Sequence, residues 1–281
     1  MIKLIAIDMD ATLLRDDKTY DIARFKRVLQ QLIAKGMFVC IATGNNLAKL
    51  GEYFDEEDQQ KLYFASDNGN YLSHKGQELK VTAIDAQEFM AVTAFLAEQK
   101  GYHCAVSTCD RLYMQSGLPE RIQASIRQYN PDVQVVERFD VADFSTPPIK
   151  IAVASEHSLP ETKQMVQRIN ALFPTVRAVT SGDIWLDIYH ISGGKGAALD
   201  ALKVQFGILT EEVMAFGDSL NDETMLKTAK YSIAMGNSDP DILPMAAYQI
   251  GTNNEQAVLT VLEQLLEDET LAFLDAYRIE R

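Results

Sequence analysis

Positive charge, cysteine and long apolar runs are all scarce in this chain. Its 281 residues carry 26 lysines and arginines against 40 aspartates and glutamates, a formal net charge of −14. That balance disfavours a nucleic-acid backbone or an anionic membrane as the main partner, since both would be repelled. It also means that a phosphorylated ligand must find its positive groups locally. The three cysteines, Cys40, Cys104 and Cys109, form no CxxC pair, which argues against a disulfide framework and for buried or free thiols in a reducing cytoplasm. The four histidines, His74, His103, His157 and His190, are scattered and do not suggest zinc. No stretch has the apolar length of a membrane span, and no basic segment with an apolar run and cleavage site opens the sequence. We therefore expect a cytoplasmic protein, a monomer or homodimer, with neither nucleic acid nor membrane as partner.

What is present is apolar sequence, 47% of the residues, enough for the core of one large or two ordinary domains. Residues 2–7 form an apolar run that suits a buried parallel strand, and it ends in Asp8 and Asp10. Asp21 can cap a helix with Ile22, Phe25, Val28, Leu29 and Leu32 at its apolar positions, and Gly36 closes it. Strands are expected at 37–42 and 62–65, then a hairpin over 70–81 turning at His74-Lys75-Gly76. This strand-helix-strand alternation is the signature of a parallel sheet with helices on its faces.

From about residue 83 the pattern changes. A helix over 85–99, strands near 102–107 and 111–115, a helix near 119–129, strands near 133–137 and 149–154, a helix near 159–172 and strands near 175–180 and 184–189 lack the tidy alternation. They point to an α+β unit with an antiparallel sheet. The first pattern resumes at Ile191. Gly193-Gly194-Lys195-Gly196 opens a helix, strands are expected at 213–216, 231–235 and 248–250, and helices at 255–267 and 270–278 close the chain. The expected organisation is an α/β, Rossmann-like doubly wound core of residues 1–82 and 191–281, split by an inserted α+β unit of residues 83–190. No internal repeat is present.

The polar groups gather where strands end. In a parallel sheet the ends after each strand share one edge, where ligands bind. Asp8 and Asp10 repel each other unless one is protonated or a cation lies between them, and an oxygen-seeking ion such as Mg²⁺ resolves the conflict. One carboxylate could then act as nucleophile and the other as proton donor and acceptor. Taken singly the motifs are weak. Asp8 and Asp10 could cap a turn, Thr43-Gly44 could be a helix cap, and Lys195 could be a solvated lysine, although a cation at a helix N-terminus wants an anionic partner. The run Gly217-Asp218-Ser219-Leu220-Asn221-Asp222 offers more acid and amide groups than a cap needs.

Together and in this order, these residues resemble the haloacid dehalogenase superfamily of phosphatases. Asp8-Met9-Asp10-Ala11-Thr12 is similar to its first motif, Thr43 to the second, Lys195 to the third, and Gly217-Asp218 with Asn221-Asp222 to the fourth. The long insertion, Asn68-Gly69 and Met235-Gly236-Asn237 resemble the Cof-type branch, whose insertion is a C2-type cap that sets specificity. The resemblance implies that Asp8 attacks phosphorus to give an aspartyl-phosphate and that Asp10 protonates the leaving alcohol and then activates water. It implies Mg²⁺ held by Asp8, the backbone carbonyl of Asp10 and Asp218, with Asp222 supporting that shell. Met9, Thr43, Gly44, Lys195 and Asn221 would hold the substrate phosphate. Charge spread over a cation, a lysine and hydrogen-bond donors is what phosphoryl transfer requires.

Two residues depart from the family pattern. Ala11 replaces a glycine, and we expect the backbone there to be one that alanine tolerates. Asn45 replaces the arginine usual after Thr-Gly, removing a bidentate anion donor near phosphate or cap. The expected activity is hydrolysis of small phosphorylated metabolites, sugar phosphates first. Its rivals are a phosphomutase, in which a sugar accepts the phosphoryl group, and a phosphometabolite-sensing protein with weak catalysis.

Overall fold

The structure, a computed structural model, describes residues 1–129, 132–181 and 184–280. The chain first lays down β1 (Leu4–Ile7), α1 (Ile22–Ala34), β2 (Phe38–Ala42), the short α2 (Leu47–Leu50) and α3 (Glu56–Gln59), β3 (Tyr63–Ser66), β4 (Tyr71–His74) and β5 (Gln77–Val81). An inserted unit follows with α4 (Ala86–Ala97), β6 (Tyr102–Ser107), β7 (Leu112–Gln115), α5 (Glu120–Tyr129), β8 (Val133–Val136), β9 (Lys150–Ser155), α6 (Leu159–Leu172), β10 (Val176–Thr180) and β11 (Trp185–His190). The chain returns through α7 (Lys195–Phe206), β12 (Val213–Gly217), α8 (Glu223–Thr228), β13 (Tyr231–Ala234), β14 (Tyr248–Gln249) and α9 (Ala257–Glu267).

The larger sheet has the order β14-β13-β12-β1-β2-β3-β4-β5. Its first six strands are parallel and the β4–β5 hairpin is antiparallel. The chain winds outward from β1 through β2 and β3, then returns to the other side of β1 through β12. The order therefore reverses between β1 and β12, and a crevice opens at such a switch point.

Strand alternation explains the layering. Ile5, Ile7, Val39, Ile41, Phe64, Met214 and Phe216 face the layer of α1 and α9. Their neighbours Leu4, Ala6, Cys40, Ala42, Ala65, Val213 and Ala215 face the layer of α7 and α8. Each large aliphatic or aromatic side chain buried this way contributes about 1.5–3 kcal/mol. The second face of the sheet is mostly small. Enlarging Ala6 or Ala215 would overpack it at about 1–3 kcal/mol. Gly196 lets α7 meet α8, since a Cβ there would lie 2.5 Å from the Thr224 carbonyl oxygen.

The inserted unit is the α+β cap expected of this architecture. Its six-stranded sheet has the order β10-β11-β9-β6-β7-β8. The pairing is antiparallel except for β7 and β8, which run parallel because α5 crosses between them. Helices α4 and α6 cover one face around Phe89, Leu96, Ile151, Val153 and Ile169. On the other face α5 packs Ile122 and Ile126 against Leu112 and Met114. The rest of that face turns toward the edge of the larger sheet where the parallel strands end.

Two local expectations change, and one short helix was not among those expected. Ile22, placed on the apolar stripe of α1, is 51% exposed at the first helical position, while Phe25, Val28, Leu29 and Leu32 are buried. The closing helix over 270–278 is a 3₁₀ segment, Ala272–Tyr277, entered through Leu271 at φ 64°, which interrupts α-helical hydrogen bonding. The short helix α3 was not legible, because Glu56, Glu57, Asp58 and Gln59 carry no apolar period and their start is fixed by Asp55 accepting from the Asp58 amide. All three cysteines are free thiols.

Candidate active site

The β1 strand hands over to a single π turn, in which the Leu13 amide donates to the Asp8 carbonyl at 3.2 Å and the Leu14 amide to the Met9 carbonyl at 2.8 Å. Ala11 sits within it at φ 58°, ψ 9°, which corrects the expectation of a backbone alanine tolerates. A left-handed non-glycine residue costs about 1–2 kcal/mol. Two bonds hold the turn: Asn237 Nδ2 donates to the Ala11 carbonyl at 2.8 Å, and Thr12 Oγ1 donates to Asp218 Oδ1 at 2.8 Å.

The turn separates the two carboxylates. Asp8 is buried and its Oδ1 meets Lys195 Nζ at 2.5 Å. Asp10 is turned outward, with Lys18 Nζ 2.7 Å from Oδ1 and Asn45 Nδ2 2.8 Å from Oδ2. Asn45, where an arginine is usual, thus orients the second carboxylate.

Lys195 is fully buried at the first turn of α7, and its ammonium also meets Asp222 Oδ1 at 2.5 Å. Gly69, at φ 79°, lets the loop after β3 touch this helix start, for a Cβ would lie 2.6 Å from the Gly194 carbonyl oxygen. Burial works against the lysine charge, but Asp222 and Asp8 outweigh it and raise the pKa. Burial, then Asp222, pushes the Asp8 carboxyl well above its usual range despite Lys195. Burial, then Asp222, pushes Asp218 up to about 7.

Asp8, Asp218 and Asp222 offer carboxylate oxygens that lie within 4.8 Å of one another. An all-oxygen donor set with too much negative charge for one lysine fits a hard divalent cation such as Mg²⁺. Asp10 is outside this group, its carboxylate being held by Lys18 and Asn45, so only its backbone carbonyl is available for a cation. Asp222 is already occupied: Oδ1 takes Lys195, and Oδ2 accepts the Asp218 and Ser219 amides at 2.9 and 3.1 Å. Those bonds suit it to shaping the loop that presents Asp218.

The remaining expected residues divide into two groups. Asp8, Asp10, Gly44, Asp218 and Asn221 line one cleft of about 1040 Å³ between the larger sheet and the cap. Thr43, Lys195, Asp222 and Met9 stand behind it. Thr43 is buried and accepts from the Asn45 backbone and side-chain nitrogens at 3.1 and 3.2 Å, leaving its own hydroxyl proton to donate elsewhere. Met9 points into the apolar core, so only its backbone can serve a ligand.

Sequence reasoning did not assign the residues that close the cleft. Lys150, on β9 of the cap, donates to the Gly44 carbonyl at 2.5 Å and lies 3.1 Å from Asp67 Oδ1. Burial disfavours its charge, yet Asp67 and Asp187 raise its pKa. Asn68, at φ 57°, reaches across to Asp187 of β11 at 2.8 Å, and Asn221 Nδ2 donates to Asn68 Oδ1 at 3.0 Å. Further out, Lys163 pairs with Asp239 and Asp241, and Arg177 with Glu223. The only sequence signal was Asn68-Gly69, because the other contacts join positions far apart in the chain.

Among curated proteins, the chain is 27% identical over 268 residues to the 5-amino-6-(5-phospho-D-ribitylamino)uracil phosphatase YbjI of Escherichia coli, spanning 95% of this chain and 97% of that one. It is 26% identical over 283 residues to an HMP-PP phosphatase of Serratia proteamaculans, spanning 97% and 98%. Among solved structures, SMU.1108c of Streptococcus mutans superposes with a TM-score of 0.88 at 29% identity, over 95% of this chain and 100% of that one. Residues 5–262 match the family model of the haloacid dehalogenase-like hydrolases, and with four motifs converging on one edge of a doubly wound sheet beneath a cap, the chain belongs to that family, as a phosphatase of its Cof-type branch.

Proposed function

We propose that this phosphatase hydrolyses small phosphorylated metabolites, sugar phosphates foremost, through an aspartyl-phosphate on Asp8, with Mg²⁺ as its cofactor, and that residues 83–190 act as the specificity cap over a core of 1–82 and 191–281. The observation that carries this reading is the buried Lys195 clamped between Asp8 and Asp222, directly behind the cleft wall that Asp8 and Asp218 form. A surface lysine needs no such setting, whereas phosphoryl transfer needs charge arranged in advance.

Asp8 supplies the oxygen that attacks phosphorus as the ester P–O bond breaks. Asp10, held at both oxygens at the cleft wall, gives a proton to the departing alkoxide. It then takes a proton from the water that attacks phosphorus of the aspartyl-phosphate, and this step releases phosphate and restores Asp8. Lys195, Thr43, the Gly44 amide, the Met9 backbone and Asn221 hold phosphate oxygens. Asp8, the Asp10 carbonyl and Asp218 would hold Mg²⁺, which when bound neutralises charge on the phosphoryl group. The Lys150 and Asp187 contacts keep the cap closed, so water is restricted during transfer. No helix among the described residues is long and apolar enough to cross a membrane.

The test is Asp8→Asn, with chelator and Mg²⁺ add-back on the parent. We expect the folded variant to release no phosphate, and the parent to lose activity in chelator and recover with Mg²⁺. Phosphate release by a pure, folded Asp8→Asn protein, or full activity in excess chelator, would refute the mechanism.

A further inference from the structure

The cleft is far larger than a phosphate group, and the part beyond the phosphate end has a distinct character. Among the described residues seven aspartates and three lysines line the cleft as a whole, and four of the aspartates, Asp67, Asp187, Asp239 and Asp241, are not among those assigned to the phosphate chemistry. Each of those lysines already has a carboxylate partner: Lys18 has Asp10, Lys150 has Asp67, and Lys163 has Asp239 and Asp241. The lining lysines are thus all engaged by carboxylates, and the lining aspartates outnumber them seven to three. The acidic groups extend to the rim, where Asp241 is exposed.

The roof is different again. Leu112 of β7, Ile126 of α5, Leu159 at the start of α6, and Ile184 with Trp185 at the start of β11 all line the same cavity. Ile184 is 38% exposed, an apolar side chain left open on a cleft wall rather than packed in a core. Apolar walls with a few placed polar groups are how small-ligand sites select shape.

From these observations, and resting on the phosphatase reading above, we infer that the cleft selects phosphate monoesters whose leaving group bears no negative charge of its own and lays an apolar face against the cap. Esters that carry a second phosphate or a carboxylate are rejected by the unbalanced aspartates. The floor still accepts the reacting phosphate because its charge is met locally by Lys195 and the cation site.

The experiment compares benzyl phosphate with two para-substituted relatives, 4-carboxybenzyl phosphate and its methyl ester. The ester controls for size and the acid adds only charge. With Mg²⁺ present, kcat/KM for the acid should fall roughly tenfold below that for the ester, and the gap should narrow in 0.5 M salt, where the Debye length drops to about 4 Å. The double variant Asp239→Asn/Asp241→Asn frees Lys163, and should raise the acid-to-ester ratio roughly threefold to tenfold. Ile184→Asn should raise KM for benzyl phosphate about threefold or more while leaving KM for methyl phosphate in place. An acid-to-ester ratio near one, or a gap indifferent both to salt and to the double variant, overturns the charge selection. Equal KM changes for benzyl and methyl phosphates overturn the apolar contact. Absence of turnover on every ester is a different result, because it refutes the phosphatase reading itself.

Discussion

Replacing Lys195 by methionine keeps the volume of the side chain and deletes its charge. Lys195 is fully buried and bonds two carboxylates, with Asp218 beside them. Removing one member of a buried ion pair costs about 3–5 kcal/mol, since the partners stay buried and uncompensated. At roughly 2–4 °C per kcal/mol for a protein of this size class, the metal-free variant should melt about 6–20 °C below the parent at pH 8. The sign of the pH dependence follows from the folded-state shifts. Asp8 lies well above its ordinary range and Asp218 is pushed up to about 7, against an unfolded value of about 3.9. A carboxyl raised on folding destabilises the native state in full above its folded pKa, and that penalty shrinks as pH falls from the folded pKa toward the unfolded one. Metal-free protein should therefore gain stability from pH 8 to pH 6, and Lys195→Met should gain more, because its carboxylates have lost their counter-charge. Mg²⁺ supplies positive charge at the same oxygens. At a hundred times its dissociation constant it adds about 2.7 kcal/mol, so it should recover much of the deficit without restoring turnover. Thermal melts at pH 6, 7 and 8, with and without Mg²⁺, together with phosphate release, read all of this. A variant as stable as the parent at pH 8, or one that acidification toward pH 6 weakens, would refute the argument.

Two smaller perturbations test local statements. Ala11→Gly removes a left-handed alanine and adds the backbone entropy of glycine, so the net gain should be about 0.5–1 kcal/mol, seen as a melting temperature raised by roughly 1–4 °C; a drop would mean the turn is not strained. Cys40 and Cys104 are buried and their thiols are pushed up to about 12, whereas Cys109 is half-buried. Ellman's reagent at pH 8 should therefore find one slowly reacting thiol in native protein and three after unfolding, and rapid labelling of all three would contradict the buried positions.

The sequence by itself determined the layering and the floor of the site. Apolar runs such as residues 2–7 and 213–216 suit strands covered on both faces, and in a parallel sheet the acidic or amide groups that follow such runs share one edge. Asp8, Asp218 and Lys195 each lie next to a strand end or helix start, which places them at that edge, and it was the order of four motifs together, resembling a known family, that gave them their roles. Ala11 shows where this legibility stops. Its identity was plain, but its φ of 58° is set by bonds from Asn237 and the register of a π turn, which no local propensity encodes. The same holds for Asn45, whose role comes from meeting Asp10, 35 residues earlier. Tertiary structure alone decided the cap's contribution. Lys150, Lys163 and Asp187 sit in ordinary strands and helices, and their meaning lies in contacts with Gly44, Asp239 and Asn68 that fold closure creates. A sequence states which side chains follow a strand; which ones face each other across a cleft depends on how two sheets are packed, and that is a property of the whole chain.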